Sequence, residues 1–208
     1  MPFSTLLFDL DGTLVDSVAD LATGVNLLRQ ELGLPPLELP AVRGMVGDGA
    51  TMLVRRSLPE GLFSEERLRR FLALYGEHLL ERTTVYPGIR EFLEQHRDRK
   101  MAVVTNKPLF LTLPLLDGLG LRPFFPVVIG GECCGARKPD PAPVLEALRR
   151  LGAEPATAVF IGDHHTDLAA GRAAGVKTCF CAWGIGHDGG QPADYRAATP
   201  ADLDRLPA

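Results

Sequence analysis

Two aspartates directly after a short apolar run, near the start of the chain, constrain the fold more than any other feature. The segment Thr5-Leu6-Leu7-Phe8 has the composition of a buried parallel strand, and Asp9-Leu10-Asp11-Gly12 follows it without a break. In an open α/β sheet the ligand crevice lies beyond the carboxyl ends of the strands. We therefore expect Asp9 and Asp11 at an edge of a sheet that binds a ligand, although an Asp-x-Asp pair alone is equally typical of a solvated turn.

Polar residues also follow later apolar runs. The run 101–104 ends in Thr105-Asn106-Lys107, Lys138 lies in a loop beyond the run 126–129, and the run 158–162 ends in residues 163–167, which include Asp163 and Asp167. Helical segments separate these runs, and such alternation predicts a parallel sheet covered on both faces. Because the carboxyl ends of parallel strands meet at one rim, we expect the four polar clusters to lie together.

A long helical insertion separates the first strand from the rest of the sheet. Apolar residues recur at helical spacing between residues 18 and 32, and two further helical segments follow at about 40–58 and 64–80. A crossover between parallel strands needs only about a dozen residues, so this stretch is too long for one. We predict a core domain of residues 1–16 and 85–208, with residues 17–84 inserted as a helical cap subdomain.

A cluster of glycines interrupts the second helical segment. Gly44, Gly47 and Gly49 fall within six residues, directly after Arg43. Glycines destabilise a helix interior, so close approach of the backbone to a ligand would explain them, and a flexible kink between packed turns is the alternative. Arg43 at the edge of the cluster favours the ligand, because its guanidinium would bind an anion.

Composition excludes several classes of protein. The net charge is −4 and the Lys and Arg residues are scattered, which argues against a nucleic-acid-binding surface. No apolar run approaches the roughly 18 residues of a membrane span, and Met1-Pro2-Phe3 shows no basic and apolar leader, so we expect a cytoplasmic monomer or homodimer without membrane contact. The cysteine spacings match neither a redox pair nor a common zinc cluster, which predicts free thiols at Cys133, Cys134, Cys179 and Cys181.

The opening motif and the later clusters together resemble a known superfamily. The segment Asp9-Leu-Asp-Gly-Thr-Leu-Val-Asp-Ser17 resembles the first motif of the haloacid dehalogenase superfamily, most of whose members are magnesium-dependent phosphatases, and the later clusters extend the resemblance over the whole chain. The resemblance implies a Rossmann-like core with a central parallel sheet and an inserted helical cap of the C1 type. Within the superfamily, the segments 46–54 and 105–108 resemble those of bacterial phosphoglycolate phosphatases.

This resemblance implies a role for each polar cluster. Asp9 would bind Mg²⁺ with one carboxylate oxygen and attack phosphorus with the other, giving an aspartyl phosphate. Asp11 would protonate the leaving oxygen, deprotonate the attacking water and bind Mg²⁺ through its carbonyl group. The other assignments are Thr105 and Lys138 for the phosphoryl oxygens, and Asp163 and Asp167 for the metal site.

The substrate is expected to be a small phosphorylated metabolite, and 2-phosphoglycolate is the first candidate. Asn106 would contribute to substrate binding, and Arg43 or Lys107 would bind the substrate carboxylate. A sugar-phosphate phosphatase, a mutase such as β-phosphoglucomutase and a pyrophosphatase remain alternatives. A phospho-aspartate signalling switch uses similar groups, but the inserted cap favours turnover because a closing cap excludes water. A dehalogenase would need neither Asp11 nor Asp163.

His164 and His165 depart from the superfamily pattern, which more often has serine or another small polar residue after Gly-Asp. Two adjacent histidines near Asp167 suggest a transition-metal site. Neighbouring side chains are expected to point apart, however, which favours solvated or hydrogen-bonded imidazoles. We therefore do not predict His164 and His165 as metal ligands.

Overall fold

The computed structural model describes residues 3–207. Three residues of the predicted core ranges lie outside the described residues: Met1, Pro2 and Ala208. Two of them belong to the segment Met1-Pro2-Phe3, on which the expected lack of a leader depends. Within residues 3–207, no helix combines the length and the apolar character of a membrane span. All four cysteines are free thiols, as predicted.

Within the described part of the chain, eight strands form two sheets. The strands are, in chain order, β1 (Thr5–Phe8), β2 (Val15–Asp16), β3 (Thr84–Val85), β4 (Lys100–Val104), β5 (Val127–Ile129), β6 (Ala158–Gly162), β7 (Lys177–Cys181) and β8 (Tyr195–Ala197). Six of them form a parallel sheet in the order β5-β4-β1-β6-β7-β8, while β2 and β3 pair antiparallel. The predicted α/β fold with a central parallel sheet is confirmed.

Helices cover both faces of the large sheet. The helices are α1 (Val18–Glu31), α2 (Leu39–Arg43), α3 (Ala50–Ser57), α4 (Glu65–Glu77), α5 (Ile89–Gln95), α6 (Leu109–Gly118), α7 (Ala142–Leu151) and α8 (His165–Ala173), with 3₁₀ turns at Arg122–Phe124, Pro155–Thr157 and Pro200–Arg205. Successive strand residues face opposite layers: Leu6 and Phe8 lie in the apolar cluster with α5 and α6, whereas Leu7 lies with α7 and α8. This burial on both faces explains why the strands are continuous apolar runs.

Two details of the core differ from the sequence prediction. The edge strand β8 was not predicted, because a strand of three residues with one neighbour has no apolar run to identify it. The small and apolar residues from Leu168 onward predict a helix that begins there, but α8 begins at His165. The reason is a capping box, in which the His164 backbone N–H donates to Asp167 Oδ2 and the His164 ring accepts from the Thr166 N–H.

Residues 17–84 form a layer of four helices, whose apolar side chains join the same buried cluster as Leu6 and Phe8. Helix α1 packs against α4 and α2, and α3 packs against α4. The second predicted helical segment consists of two helices, α2 and α3, and the loop between them contains Gly44, Gly47 and Gly49. Gly47 and Gly49 have φ angles of +124° and +87°, a conformation that other residues rarely adopt.

The chain leaves the core and returns to it at adjacent positions. Strand β2 pairs with β3, so that Asp16 lies opposite Thr84. Asp20 in the first turn of α1 is buried and accepts hydrogen bonds from the backbone N–H groups of Arg82 and Thr83. These contacts fasten the two connections between the helical layer and the core.

Candidate active site

The polar residues predicted to meet at the carboxyl ends of the strands do so. Strand β1 lies between β4 and β6 in the sheet. Asp9 therefore emerges beside Thr105, which follows β4, and beside Asp163, which follows β6. Lys138 reaches the same rim from the loop that precedes α7, and its side chain is buried.

Lys138 is the centre of a buried network of hydrogen bonds. Its ammonium group donates to Asp9 Oδ1 at 2.6 Å, to Asp167 Oδ1 at 2.7 Å and to the carbonyl oxygen of Val104 at 2.7 Å. These three bonds use the three protons of the ammonium group. The side chain of Asn106 binds the Lys138 backbone, accepting from its N–H at 2.9 Å and donating to its carbonyl at 3.0 Å. Asn106 thus positions Lys138.

Asp163 is held by groups that the sequence did not identify. Its Oδ2 accepts from the backbone N–H groups of Ile185 and Gly186, both at 2.8 Å, and its Oδ1 accepts from the Thr13 hydroxyl at 3.0 Å. A Cβ atom on Gly12 would lie 2.1 Å from Asp163 Oδ2, so this position requires glycine. In the sequence, the repeated glycines of the loop after β7 were the feature that could have predicted a close approach of this backbone to a buried group.

Three carboxylates share this buried space. Oxygen atoms of Asp9, Asp163 and Asp167 lie within 4.8 Å of one another. Burial raises the pKa of Asp9 well above its usual value, against the effect of Lys138, and the charges of Asp167 and Asp163 add to the rise. Burial and Asp167 likewise raise the pKa of Asp163 to about 6.

This cluster fits a divalent cation. Among the described residues, Lys138 pairs with two of these carboxylates, Asp9 and Asp167, so the three carboxylates outnumber the one ammonium group in contact with them. Carboxylate oxygens are the donors that hard divalent cations prefer. A bound cation would place positive charge beside Asp9 and Asp163 and would therefore oppose the rise in their pKa values.

Asp11 lies apart from this cluster and contacts a different lysine. The Lys107 ammonium donates to Asp11 Oδ1 at 3.1 Å and to the Tyr75 hydroxyl oxygen at 2.6 Å, and the Ser17 hydroxyl donates to Asp11 Oδ1. Burial raises the pKa of Tyr75 to about 12, so it remains a phenol at neutral pH. Tyr75 and Ser17 were not predicted as site residues, because each also fits a purely structural position in its helix.

A small cavity of about 50 Å³ lies between the sheet edge and the helical layer. Helices α3 and α4 and the α2–α3 loop cover it, with Gly47, Gly49 and Tyr75 among the lining residues. Its polar wall comes from the core and consists of Asp9, Asp11, Thr105, Asn106 and Lys107. The Thr105 hydroxyl accepts a hydrogen bond from the Lys107 backbone N–H at 3.1 Å.

The glycine loop lines one side of this cavity and lies directly on the core. A Cβ atom on Gly47 would lie 2.6 Å from the His164 ring, and one on Gly49 would lie 3.3 Å from the carbonyl oxygen of Asn106. The expected approach of this backbone to a ligand stays a prediction; the approach seen in the structure is to core residues beside the cavity.

Arg43 lies away from the cavity. Its guanidinium group contacts Asp16 Oδ2 at 3.4 Å, its side chain is 41% exposed, and it is not among the residues that line the cavity. Of the two candidates for binding a substrate carboxylate, Lys107 is the one that the structure brings to the cavity.

The expectation that His164 and His165 point apart is wrong. Their ring centroids lie 4.0 Å apart. His164 has an extended backbone at the N-cap of α8, whereas His165 is the first helical residue. Side chains of neighbouring residues point to opposite sides only in a continuous strand, so the change of backbone conformation between His164 and His165 allows their rings to lie together. Burial lowers the pKa of His164 to about 4, so its imidazole is neutral.

Comparison with known proteins places these observations in a family. The model of haloacid dehalogenase-like hydrolases matches residues 6–181. A phosphoglycolate phosphatase of Pseudomonas putida KT2440 is 42% identical over 199 residues, covering 91% of this chain and 72% of its own. One from Chromobacterium violaceum is 39% identical over 205 residues, covering 94% and 92%. The crystal structure of a predicted phosphoglycolate phosphatase from Haemophilus somnus 129PT has a TM-score of 0.90 at 30% identity, covering 98% of this chain and 97% of that one.

Proposed function

The chain belongs to the family of haloacid dehalogenase-like hydrolases, and we propose that it hydrolyses 2-phosphoglycolate to glycolate and phosphate through a phosphorylated Asp9, with Mg²⁺ as cofactor. One observation carries the proposal: Asp9 and Asp11 line the same small cavity, each paired with its own buried lysine. A carboxylate nucleophile and a separate acid/base group facing one cavity are the arrangement that phosphoryl transfer through an acyl phosphate requires.

The cation would be held by the carboxylates of Asp9 and Asp163 and by the backbone carbonyl of Asp11. Asp167 would add charge from behind the site, since its two oxygens already accept from Lys138 and from the His164 N–H. When bound, Mg²⁺ supplies positive charge that screens the substrate phosphate from the carboxylates.

Each step of the reaction then has a residue to perform it. Asp9 attacks phosphorus, the bond from phosphorus to the glycolate oxygen breaks, and Asp11 gives its proton to that oxygen. Water next attacks the phosphorus of the aspartyl phosphate, Asp11 takes the water proton, and the Asp9 carboxylate leaves. Lys138 and the Thr105 hydroxyl stabilise charge on the phosphoryl oxygens throughout.

The helical layer would act as a cap over this chemistry. We assign residues 17–84 to the cap and residues 1–16 and 85–208 to the core, with the paired strands β2 and β3 as the hinge. The bond from Lys107 to Tyr75 joins the two parts across the cavity. Opening at the hinge admits the substrate, and closing excludes water from it.

The size and charge of the cavity support a compact anionic substrate. The cavity of about 50 Å³ is far smaller than the roughly 300–1,000 Å³ of typical sites for larger ligands. Lys107 offers a cation to a substrate carboxylate beside Asp11. Relatives with the name phosphoglycolate phosphatase support the same substrate.

A phosphate-release assay tests this function. We expect phosphoglycolate to give the highest kcat/KM, by about tenfold or more, in a panel with β-glucose 1-phosphate, a nucleotide and pyrophosphate. Activity should disappear in chelator and return with Mg²⁺. A higher kcat/KM for a sugar phosphate than for phosphoglycolate would contradict the proposed substrate. Full activity in chelator would contradict the proposed Mg²⁺ dependence. A stable phosphoprotein without turnover would indicate a signalling switch.

Replacing Lys107 and Arg43 separately tests how the carboxylate is bound. We expect Lys107→Met to raise the KM for phosphoglycolate by about tenfold or more, because a hydrogen bond to a charged group is lost, and also to lower kcat because Asp11 loses its partner. Arg43→Ala should change KM little, since Arg43 contacts Asp16 outside the cavity.

Methyl phosphate, which has no carboxylate, is the matched control substrate. With it, Lys107→Met should lower kcat but leave KM nearly unchanged. A large rise in the KM for phosphoglycolate in Arg43→Ala, with none in Lys107→Met, would contradict the assignment.

A further inference from the structure

Three of the five histidines of the chain meet beside the active site. His164 and His165 lie at the start of α8, and His187 comes from the loop after β7. The His187 ring centroid lies 5.6 Å from that of His164 and 5.4 Å from that of His165. One ring nitrogen from each of the three residues lies within 4.8 Å of the other two.

One nitrogen in this cluster is buried without a partner. The Nδ1 atom of His165 is inaccessible to solvent and makes no hydrogen bond to any residue in the range 3–207. Such a nitrogen costs free energy unless another group uses its proton or lone pair. The His164 ring, in contrast, is oriented by the Thr166 hydroxyl, 2.9 Å from His164 Nδ1. When His164 Nε2 binds a metal, Nδ1 carries the proton and would donate it to this hydroxyl oxygen, a hydrogen bond that commonly orients a metal-binding imidazole.

From this geometry we propose that His164, His165 and His187 bind a transition-metal dication, and we take Zn²⁺ as the ion for which the site is tested. Imidazole nitrogen suits Zn²⁺, whereas Mg²⁺ prefers oxygen, so the histidine cluster and the neighbouring carboxylate cluster would select different metals. Three histidines and one water complete a tetrahedral Zn²⁺ site.

The rearrangement that binding requires is small. Zn–N bonds of about 2.0–2.1 Å place tetrahedral ligand atoms roughly 3.3 Å apart, and the three nitrogens already lie within 4.8 Å of one another. His187 is exposed, so its side chain has room to rotate toward the other two. Its backbone is already in place, because its carbonyl accepts a hydrogen bond from the His165 N–H at 2.8 Å.

The bound metal would fasten the loop that contains His187 to the start of α8. The same loop supplies the N–H groups of Ile185 and Gly186 that hold Asp163. The site is therefore structural in this proposal, and its occupancy stabilises the folded chain without entering the reaction.

Calorimetric titration of the untagged protein with Zn²⁺ tests the site, with excess Mg²⁺ present to occupy the carboxylate cluster. We expect one Zn²⁺ per chain. His187→Ala should weaken binding by about tenfold or more, since even changes around a metal ligand have effects of this size. His78→Ala, a partly exposed histidine at the end of α4, is the matched control and should bind as the wild type does.

Thermal unfolding provides a readout independent of activity. At free Zn²⁺ about a hundredfold above Kd, the Tm of the wild type and of His78→Ala should rise by roughly 5 °C, and that of His187→Ala should not. Co²⁺ as a probe should give the visible absorption of a tetrahedral site, which His187→Ala loses. Absence of Zn²⁺ binding, or equal binding by wild type and His187→Ala, would overturn the proposal.

Discussion

Asp9→Asn is expected to lower kcat for phosphoglycolate hydrolysis by at least about 10⁴-fold, the scale on which enzymes lose activity when their nucleophile is removed. An amide oxygen does not form the acyl phosphate, and it binds a cation less well than a carboxylate does. The asparagine side chain has nearly the same shape, so Lys138 keeps its contacts with Asp167 and with the carbonyl of Val104.

The same variant should remain folded. Burial and two neighbouring carboxylates raise the pKa of Asp9 above its value in the unfolded chain, so ionised Asp9 destabilises the metal-free fold at neutral pH. Removing that charge should leave the free energy of unfolding unchanged or higher in urea titrations without metal. Asp117→Asn, at an exposed position in α6, is the control and should retain full activity. Retention of more than about a hundredth of wild-type kcat by Asp9→Asn would contradict the mechanism.

Lys138→Met is expected to have the second-largest effect, and it should affect activity and stability together. The ammonium group bridges Asp9 and Asp167 in a buried site, so its loss leaves two carboxylates without their common partner. Removing one partner from a buried ion pair costs about 3–5 kcal/mol of stability. The loss of a cation near the phosphoryl oxygens should lower kcat by about 10²–10³-fold.

Urea unfolding with and without Mg²⁺ measures both parts of this expectation. Without metal, the free energy of unfolding of Lys138→Met should fall by about 3 kcal/mol, and Mg²⁺ should restore part of it because the cation neutralises the same carboxylates. Lys177→Met is the matched control, since Lys177 pairs with Asp194 on the surface and its removal should have little effect. Equal stability of the two variants would show that Lys138 does not neutralise the cluster.

The residues that lie at the carboxyl ends of the strands could be predicted from the sequence, for a physical reason. Asp9, Thr105 and Asp163 each follow an apolar run, and parallel strands bring such positions to one edge whatever the lengths of the connections between them. Lys138 could be placed in the loop before its helix because Asp140-Pro141 is typical of a helix start; the N-cap of α7 is Pro141, and Asp140 Oδ1 accepts from the Ala142 N–H at 2.8 Å. Local rules sufficed at these positions.

Other parts of the site depend on contacts between distant segments. The pairing of Lys107 with Tyr75 and the position of His187 beside α8 follow from how the helical layer and a late loop pack on the core. Arg43 illustrates the same limit, because a basic residue beside a glycine loop fits a substrate contact as well as it fits the observed contact with Asp16. No spacing in the sequence distinguishes such alternatives.

Reductive trapping of the phosphorylated intermediate tests the central claim most directly. Rapid quenching of the enzyme during turnover of phosphoglycolate, followed by borohydride reduction, converts an aspartyl phosphate to homoserine, which peptide mass spectrometry locates in the chain. The account predicts homoserine at position 9 in the wild type and none in Asp9→Asn. Homoserine at another aspartate, or turnover without any trapped residue, would contradict the assignment of Asp9 as the nucleophile.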